Sequence, residues 1–216
     1  MKNFNNKVYA ENYINDISLK IPGYDLMFDL IFKGVIPVEM QSTLANILSV
    51  GGGEIEMNNL LELFPNASYT LLDSSQDMLN MVKNSINSDN SHIEYINQSF
   101  EESKLKNDNY QLILSLLVAH FIEDKETFFK EIYRVLDKEG IFIVSAFSNQ
   151  HLDWWKEYTI ANGANKADVL NTYNHQEKVM KSIDPNELEL LVKEIGYSKV
   201  EKVAQILSID LWILKK

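Results

Sequence analysis

A run of three glycines, Gly51 to Gly53, follows a short apolar stretch and is itself followed by Glu54 and Glu56. Glycines let the backbone turn sharply and let a ligand approach the main chain closely. A second apolar stretch ends at Asp73, about 20 residues further on, the spacing at which an acidic residue can accept hydrogen bonds from ribose hydroxyls. These residues predict a nucleoside-containing ligand at the turn. A tight turn beside a surface aspartate, with no ligand, has the same pattern.

The acidic residues beside the glycines discriminate between two kinds of nucleotide ligand. A dinucleotide places its pyrophosphate on the N-terminus of the following helix, where Glu54 and Glu56 would repel it. Glu56 also stands where the dinucleotide fingerprint has its third glycine or alanine. S-adenosylmethionine carries a sulfonium and an ammonium but no phosphate, and acidic groups suit its cations. The turn therefore favours S-adenosylmethionine, and an NAD-dependent oxidoreductase is the disfavoured alternative.

Histidine and aromatic residues are the remaining candidates for chemistry. His120 follows a predicted strand and could act as a general base or orient a substrate, or could be a structural histidine. The predicted substrate residues are Tyr13, His151, Trp154, Trp155 and Tyr158. The two tryptophans could equally pack inserted helices on the core. The four histidines lack the spacing of a metal site, so no metal is predicted.

Composition excludes several classes of site. The 216 residues contain no cysteine, which rules out disulfides, thiolate metal sites and cysteine nucleophiles. The net charge is −11 and Arg134 is the single arginine, which argues against binding to nucleic acid. No apolar run approaches the roughly 18 residues of a membrane span, and the polar N-terminal stretch lacks a signal-peptide core. We expect a cytoplasmic protein that binds a small-molecule substrate and no membrane, with its oligomeric state open, a homodimer included.

Strand-like and helix-like segments alternate along the chain, which predicts a mostly parallel sheet with helices on both faces. The predicted parallel strands are Asn46–Val50, Ser68–Leu72, His92–Ile96, Tyr110–Leu114 and Ile141–Ala146. An antiparallel C-terminal hairpin over Lys199–Gln205 and Leu207–Leu214 completes a seven-stranded sheet. Asp124 and Asp184 are expected to cap helices, and Gly140 and Gly196 to end them. The predicted fold is a single Rossmann-like α/β domain over residues 1–216.

Two segments lie outside this alternation. Residues 1–33 are expected to form an N-terminal helical cap, and residues 148–183 a helical lid insertion after the fifth strand. Ligands of open α/β sheets bind at the carboxyl ends of the strands. Both segments are therefore predicted to cover that edge, with the substrate beneath them.

Segments between Ile21 and Phe147 resemble class I S-adenosylmethionine-dependent methyltransferases that modify small molecules. The resemblance rests on Ile21–Asp25 ahead of the core, Ile47–Gly53, Leu71–Leu79, Leu112–Phe121, and Phe129–Leu136 with the following Gly140. Taken together these segments cover most of the chain. The resemblance implies transfer of a methyl group from S-adenosylmethionine to an oxygen, nitrogen or carbon atom of a small metabolite.

The resemblance also implies which residues hold the donor. Asp73 would bind the ribose hydroxyls, and Ser74 and Met78 would lie beside the ribose and adenine. The remaining residues of the implied donor site are Gly51, Gly53, Ser115 and Leu116 near the methionine part, Ser99 and Phe100 around the adenine, and Glu54 and Tyr24 near the turn.

Three positions depart from the family pattern. Ser49 stands where the family usually has an acidic residue, Ile55 where it has a third glycine, and Ser99 where aspartate is common. Ser49 removes an anchor for the donor's ammonium group, which Glu54 or Glu56 could replace. These departures keep a catalytically degenerate binding protein as an alternative. A transfer-RNA or protein methyltransferase is another, its RNA form disfavoured by the acidic charge.

Overall fold

The computed structural model describes residues 16–40, 46–86 and 92–216. Its strands are β1 Asn46–Val50, β2 Ser68–Asp73, β3 Ile93–Asn97, β4 Tyr110–Leu116, β5 Leu136–Phe147, β6 Lys199–Ile206 and β7 Ile209–Lys215. Within the described ranges these seven strands form one sheet in the order β3-β2-β1-β4-β5-β7-β6. Strands β1 to β5 pair in parallel, whereas β7 is antiparallel to both β5 and β6. The predicted sheet and its C-terminal hairpin are confirmed.

Helices cover both faces of this sheet, as predicted. They are α1 (16–20), α2 Tyr24–Asp29, a π-helix Leu30–Val35, α3 Ile36–Glu39, α4 Glu54–Leu63, α5 Gln76–Ser85, α6 Lys125–Val135, α7 Leu152–Ala161, α8 Lys166–Asn174, α9 Gln176–Val179 and α10 Pro185–Ile195. On one face, Met57 of α4 and Leu79 of α5 belong to a buried cluster with Leu112 of β4. On the other face, Phe128 of α6 packs against Phe142 of β5. The sheet thus lies between two helical layers.

The prediction that Gly140 ends a helix is wrong. Helix α6 ends at Val135 and β5 begins at the next residue, so Gly140 lies inside a strand. A Cβ atom on Gly140 would lie 2.8 Å from the carbonyl oxygen of Tyr110, where the register between β4 and β5 shifts. Glycine in a strand often marks such an irregularity, because the neighbouring backbone comes too close for a side chain.

The predicted helix caps at Asp124 and Asp184 are confirmed. A carboxylate oxygen of Asp124 accepts a hydrogen bond from the backbone N–H of Thr127 at 2.9 Å. Asp184 accepts one from the backbone N–H of Asn186 at 2.8 Å. Gly196 ends α10 with a φ of +115°, a left-handed conformation that favours glycine.

The helical segment from residue 24 to residue 39 connects early and late parts of the chain. Near its start, a Cβ atom on Gly23 would lie 2.5 Å from the side chain of Ile206 at the end of β6. At its end, the Glu39 carboxylate pairs with Lys199 at 3.2 Å and with Lys215 at 2.5 Å. The segment therefore spans the sheet face and is held at both ends by the C-terminal hairpin.

The described part of the predicted N-terminal cap is helical, and so is most of the insertion after β5. Tyr13 and the rest of residues 1–15 lie outside the described residues. None of the helices in the described ranges combines the length and the hydropathy needed to cross a bilayer.

Candidate functional site

The three glycines after β1 differ in how much space a side chain would have at each position. Gly51 has a φ of +70°, and a Cβ atom there would lie 2.5 Å from the side chain of Val118. A Cβ atom on Gly52 would overlap the hydroxyl oxygen of Ser49. Gly53 has an ordinary φ of −101° and no atom within 4 Å of the position of a Cβ. The protein's own packing requires the first two glycines, whereas Gly53 faces open space where a ligand can approach the backbone.

Asp73 ends β2 at the same edge of the sheet. One carboxylate oxygen accepts a hydrogen bond from the backbone N–H of Ser75 at 2.7 Å, which fixes the orientation of the side chain. Asn97, its partner on β3, donates to the Asp73 carbonyl oxygen at 3.1 Å. Burial raises the pKa of Asp73 to about 6, opposed by the hydrogen bond from Ser75. An oriented, half-buried carboxylate of this kind can accept hydrogen bonds from a pair of hydroxyl groups.

The residues around Asp73 differ in their access to a ligand. Ser74 is exposed, and Met78 is half-buried in the first turn of α5. Ser99 follows β3 and is partly accessible. Phe100 is buried, with its ring centroid 5.3 Å from that of Phe128, so it supports this edge from the core side.

The structure does not support direct ligand contact by Ser115. This residue has no exposed surface, so its contact with a donor would require β4 to move. Leu116, the next residue, is also buried. Leu117 then turns away with a φ of +60°, and its N–H donates to the Ser145 carbonyl oxygen at 2.9 Å. The predicted contacts at the end of β4 are therefore limited by the packing of the strand.

The two glutamates of the turn have different environments. Glu54 is exposed at the start of α4, whereas Glu56 is only 2% exposed. A carboxylate oxygen of Glu56 accepts a hydrogen bond from the Ser49 hydroxyl at 2.5 Å. Burial raises the pKa of Glu56 to about 7, and the bond from Ser49 opposes that shift. The pKa of Tyr24 is raised to about 12, mainly because the side chain is buried and secondly because the negative charge of Glu56 lies nearby.

His120 is buried beyond the end of β4, between two aromatic rings. Its ring centroid lies 4.1 Å from that of Phe121 and 5.1 Å from that of Phe147. Its Nδ1 accepts a hydrogen bond from the backbone N–H of Phe147 at 3.4 Å. The ring is thus packed at the end of β4, and its predicted role as a general base or a substrate orienter stays a prediction.

The insertion after β5 contains a cavity of about 470 Å³. Its lining residues are Asn149, His151, Leu152, Asp153, Trp154, Tyr173 and Gln176. The rings of His151 and Trp154 stack with centroids 4.5 Å apart, and Tyr158 is exposed on the same helix. Asn149 and Gln176 were not predicted, because isolated polar residues in an irregular segment carry no periodic signal. In the described residues no group of three or more potential ligands could hold a metal ion.

Trp155, a predicted substrate residue, does not line this cavity. It is 2% exposed, and its indole ring lies edge to face with Phe147 at 5.5 Å between centroids. Its Nε1 donates a hydrogen bond to the Lys20 carbonyl oxygen at 2.8 Å. Trp155 therefore holds α7 against the core and the N-terminal helices, which is the packing role left open by the sequence.

The strand order places the glycine turn and the start of the insertion that contains the cavity at the same edge of the sheet. The turn follows β1 and the cavity begins just after β5, with β4 between the two strands. Neighbouring strands are about 4.8 Å apart, so β5 lies roughly 10 Å from β1. Two ligands could therefore bind along one edge of the sheet, one at each site.

Comparison with known proteins gives concordant matches. A family model described as "Methyltransferase domain" matches residues 48–144. Carboxy-S-adenosyl-L-methionine synthase of Staphylococcus epidermidis is 24% identical over 210 residues, which cover 92% of this chain and 90% of that protein. Malonyl-(acyl-carrier protein) O-methyltransferase 2 of Ilyobacter polytropus is 27% identical over 167 residues, 77% of this chain and 55% of that protein. The structure of the plantazolicin methyltransferase BpumL in complex with SAH has the same fold, with a TM-score of 0.72, 16% identity and coverage of 99% and 92%.

Proposed function

We propose that this chain, whose residues 48–144 match a methyltransferase domain, is a class I S-adenosylmethionine-dependent methyltransferase that methylates an oxygen, nitrogen or carbon atom of a small molecule bound in the cavity beside His151 and Trp154. The observation that carries the proposal is the open space at the Cβ position of Gly53 after β1, at the same edge of the sheet as the Asp73 carboxylate at the end of the neighbouring strand β2. A ligand with ribose hydroxyls and positive charge, but without phosphate, fits these groups.

Methyl transfer requires the protein mainly to align the acceptor atom with the methyl group of the donor. The bound donor supplies a methyl carbon that its sulfonium has already activated for in-line displacement. The chain's residues must hold the acceptor atom on the far side of that methyl group and exclude water. His120, just beyond the end of β4, is the candidate in this chain for orienting the acceptor. Removal of an acceptor proton, where one is present, would fall to solvent or to another group.

The relatives support a small-molecule acceptor without defining it. Their names specify an S-adenosylmethionine derivative, a malonyl group on a carrier protein and the natural product plantazolicin. The cavity beside α7 has the volume of a small-ligand pocket, in the range of about 300–1,000 Å³. The acidic charge of −11 and the single arginine favour this acceptor class over RNA.

Calorimetry with S-adenosylmethionine, S-adenosylhomocysteine and NAD tests the donor. We expect the two adenosyl ligands to bind and NAD not to bind. Binding of NAD in preference to both would contradict the proposal. Transfer of labelled methyl from bound donor to oxygen, nitrogen and carbon nucleophiles then separates an enzyme from a binding protein with the same fold, which Ser49, Ile55 and Ser99 keep as the second candidate.

We expect Asp73→Ala to weaken binding of S-adenosylhomocysteine roughly 10- to 150-fold, because a charge-assisted hydrogen-bond pair contributes about 1.5–3 kcal/mol. Calorimetric titration at constant pH measures the effect. Glu94→Ala removes an exposed carboxylate from the neighbouring strand and controls for net charge. Equal affinity in the parent and Asp73→Ala proteins would remove Asp73 from the ribose site.

A further inference from the structure

The walls of the cavity after β5 combine aromatic rings with hydrogen-bond acceptors. The rings of His151 and Trp154 are stacked with an interplanar angle of 5°, and Tyr173 contributes a third ring. None of the described lining residues is a lysine or an arginine. We propose that the acceptor molecule is a small organic cation, such as an amine in its ammonium form, whose charge binds against the Asp153 carboxylate and the rings beside it. The inference rests on the proposed function, since it names the substrate class of the same site.

A lysine of the protein itself shows that a positive charge is favourable at this wall. The ammonium nitrogen of Lys156 lies 4.3 Å from the centroid of the Tyr173 ring and 3.4 Å from Oδ1 of Asp153. An aromatic face attracts an ammonium group through its quadrupole, and a carboxylate attracts it through its charge. Lys156 also pairs with Glu157 at 3.5 Å, so it keeps one ion pair when a ligand takes its place beside Tyr173.

The hydrogen bonds within the cavity wall leave acceptor oxygens for a ligand. The Tyr173 hydroxyl donates to Oδ1 of Asp153 at 2.5 Å, so its proton is already in use. The Asn149 amide nitrogen donates to the Asp184 carboxylate at 3.1 Å, which leaves the amide oxygen to accept. The side-chain oxygen of Gln176 is buried with no hydrogen-bond partner among the described residues. An ammonium group supplies three N–H donors to such oxygens, whereas a ligand carboxylate supplies none.

Asp153 has the charge and the free oxygen that this role requires. The hydrogen bond from Tyr173, and after it the one from Lys156, holds the pKa of Asp153 below its usual value. Both bonds end on Oδ1, and within the described ranges no donor is bonded to Oδ2. Trp154 is 60% exposed and has His151 stacked on one face, so its other face remains open to a ligand.

A ligand carboxylate is the alternative occupant, because it could pair with Lys156 instead of displacing it. The two occupants predict opposite effects of removing the lysine charge. Lys156→Met keeps an apolar stem beside Tyr173 but removes a competitor for a cation, or the partner of an anion. The sign of its effect on affinity therefore distinguishes a cationic acceptor from an anionic one.

The test uses matched ligands that differ in charge, titrated calorimetrically at neutral pH into protein saturated with S-adenosylhomocysteine. One series is phenethylamine, phenethyl alcohol and hydrocinnamate, and the other is hexylamine, hexanol and heptanoate. In the parent we expect the amine of each series to bind about 3- to 30-fold more tightly than the alcohol, and the carboxylate to bind most weakly. Asp153→Asn should reduce this preference about two- to fivefold, and Lys156→Met should increase it by a similar factor. Asp168→Asn and Lys166→Met, exposed substitutions on α8, control for net charge and should behave as the parent does.

Three results would overturn the proposal. The first is that the amines bind no more tightly than the alcohols, or that no member of either series binds. The second is that the preference survives unchanged in Asp153→Asn, or that Lys156→Met weakens binding of the amines. The third is tighter binding of a lysine-containing peptide than of both free amines, which would assign the charge to a protein acceptor. Failure of the parent to bind S-adenosylhomocysteine would instead overturn the proposed function, whatever the amines do.

Discussion

Gly53→Val is expected to lower the affinity for S-adenosylmethionine more than about 100-fold, a loss above roughly 2.7 kcal/mol, in a chain that remains folded. The glycine has a φ of −101°, which valine adopts without strain, and the space around its Cβ position is open. The protein therefore loses no internal packing, whereas the isopropyl group occupies the volume over the turn in which the donor would lie. Calorimetry measures the affinity, and thermal unfolding monitored by circular dichroism confirms the fold.

Two other glycines serve as controls for this result. Gly34 is exposed in the π-helix and also has open space around its Cβ position, so Gly34→Val should leave donor affinity unchanged. Gly51→Val should impair folding itself, because Gly51 has a φ of +70° and Val118 lies against it. If Gly53→Val bound the donor as tightly as the parent does, the donor pocket would have to lie away from the turn.

Trp155→Ala is expected to lower the free energy of unfolding by about 3–5 kcal/mol, the usual effect of truncating a buried tryptophan. Its ring fills the space between Phe147 and the N-terminal helices, and its Nε1 bonds to the Lys20 carbonyl oxygen. The truncation leaves a cavity and an unpaired carbonyl group together. Urea unfolding followed by circular dichroism gives the free energy.

Trp154→Ala provides the matched comparison one residue earlier on the same helix. Trp154 is 60% exposed and stacks on His151, so its removal should change stability by no more than about 0.5 kcal/mol. Its effect should appear in the Michaelis constant for the acceptor once that molecule is known. Equal losses of stability in the two variants would show that Trp155 does not hold α7 on the core.

Periodicity and local chemistry were sufficient to predict the framework of the site. Strand β1 was predicted with its observed bounds because it is a short buried apolar run that ends in glycine. Asp124 and Asp184 were predicted as caps because a capping bond is made within three residues of the cap. The parallel orientation of the five core strands, though not their order in the sheet, followed from the alternation of strands and helices.

What the sequence could not predict depends on contacts between distant residues. From its position after an amphipathic segment, Gly140 was predicted to end a helix. In the structure, glycine is required there because the carbonyl group of Tyr110 on the neighbouring strand lies too close for a side chain. The sequence could not show which of the two adjacent tryptophans is buried. In the structure it is Trp155, whose Nε1 donates a hydrogen bond to the distant Lys20 carbonyl oxygen. Likewise, only the fold shows that Glu56 and not Glu54 lies behind Ser49, because that depends on the rotation of α4.

The contacts between the helices of residues 24–39 and the C-terminal hairpin also set an order of events during biosynthesis. Lys199, which pairs with Glu39, is translated 160 residues later. At roughly 5–20 residues per second, that is about 8–30 s of elongation. Until then the early helices have no hairpin to dock on, and Tyr24 has no fixed position beside the glycine turn. During that interval the apolar faces of these helices, which include Met27, Ile31 and Ile36 in the folded core, lack their final packing on the nascent chain.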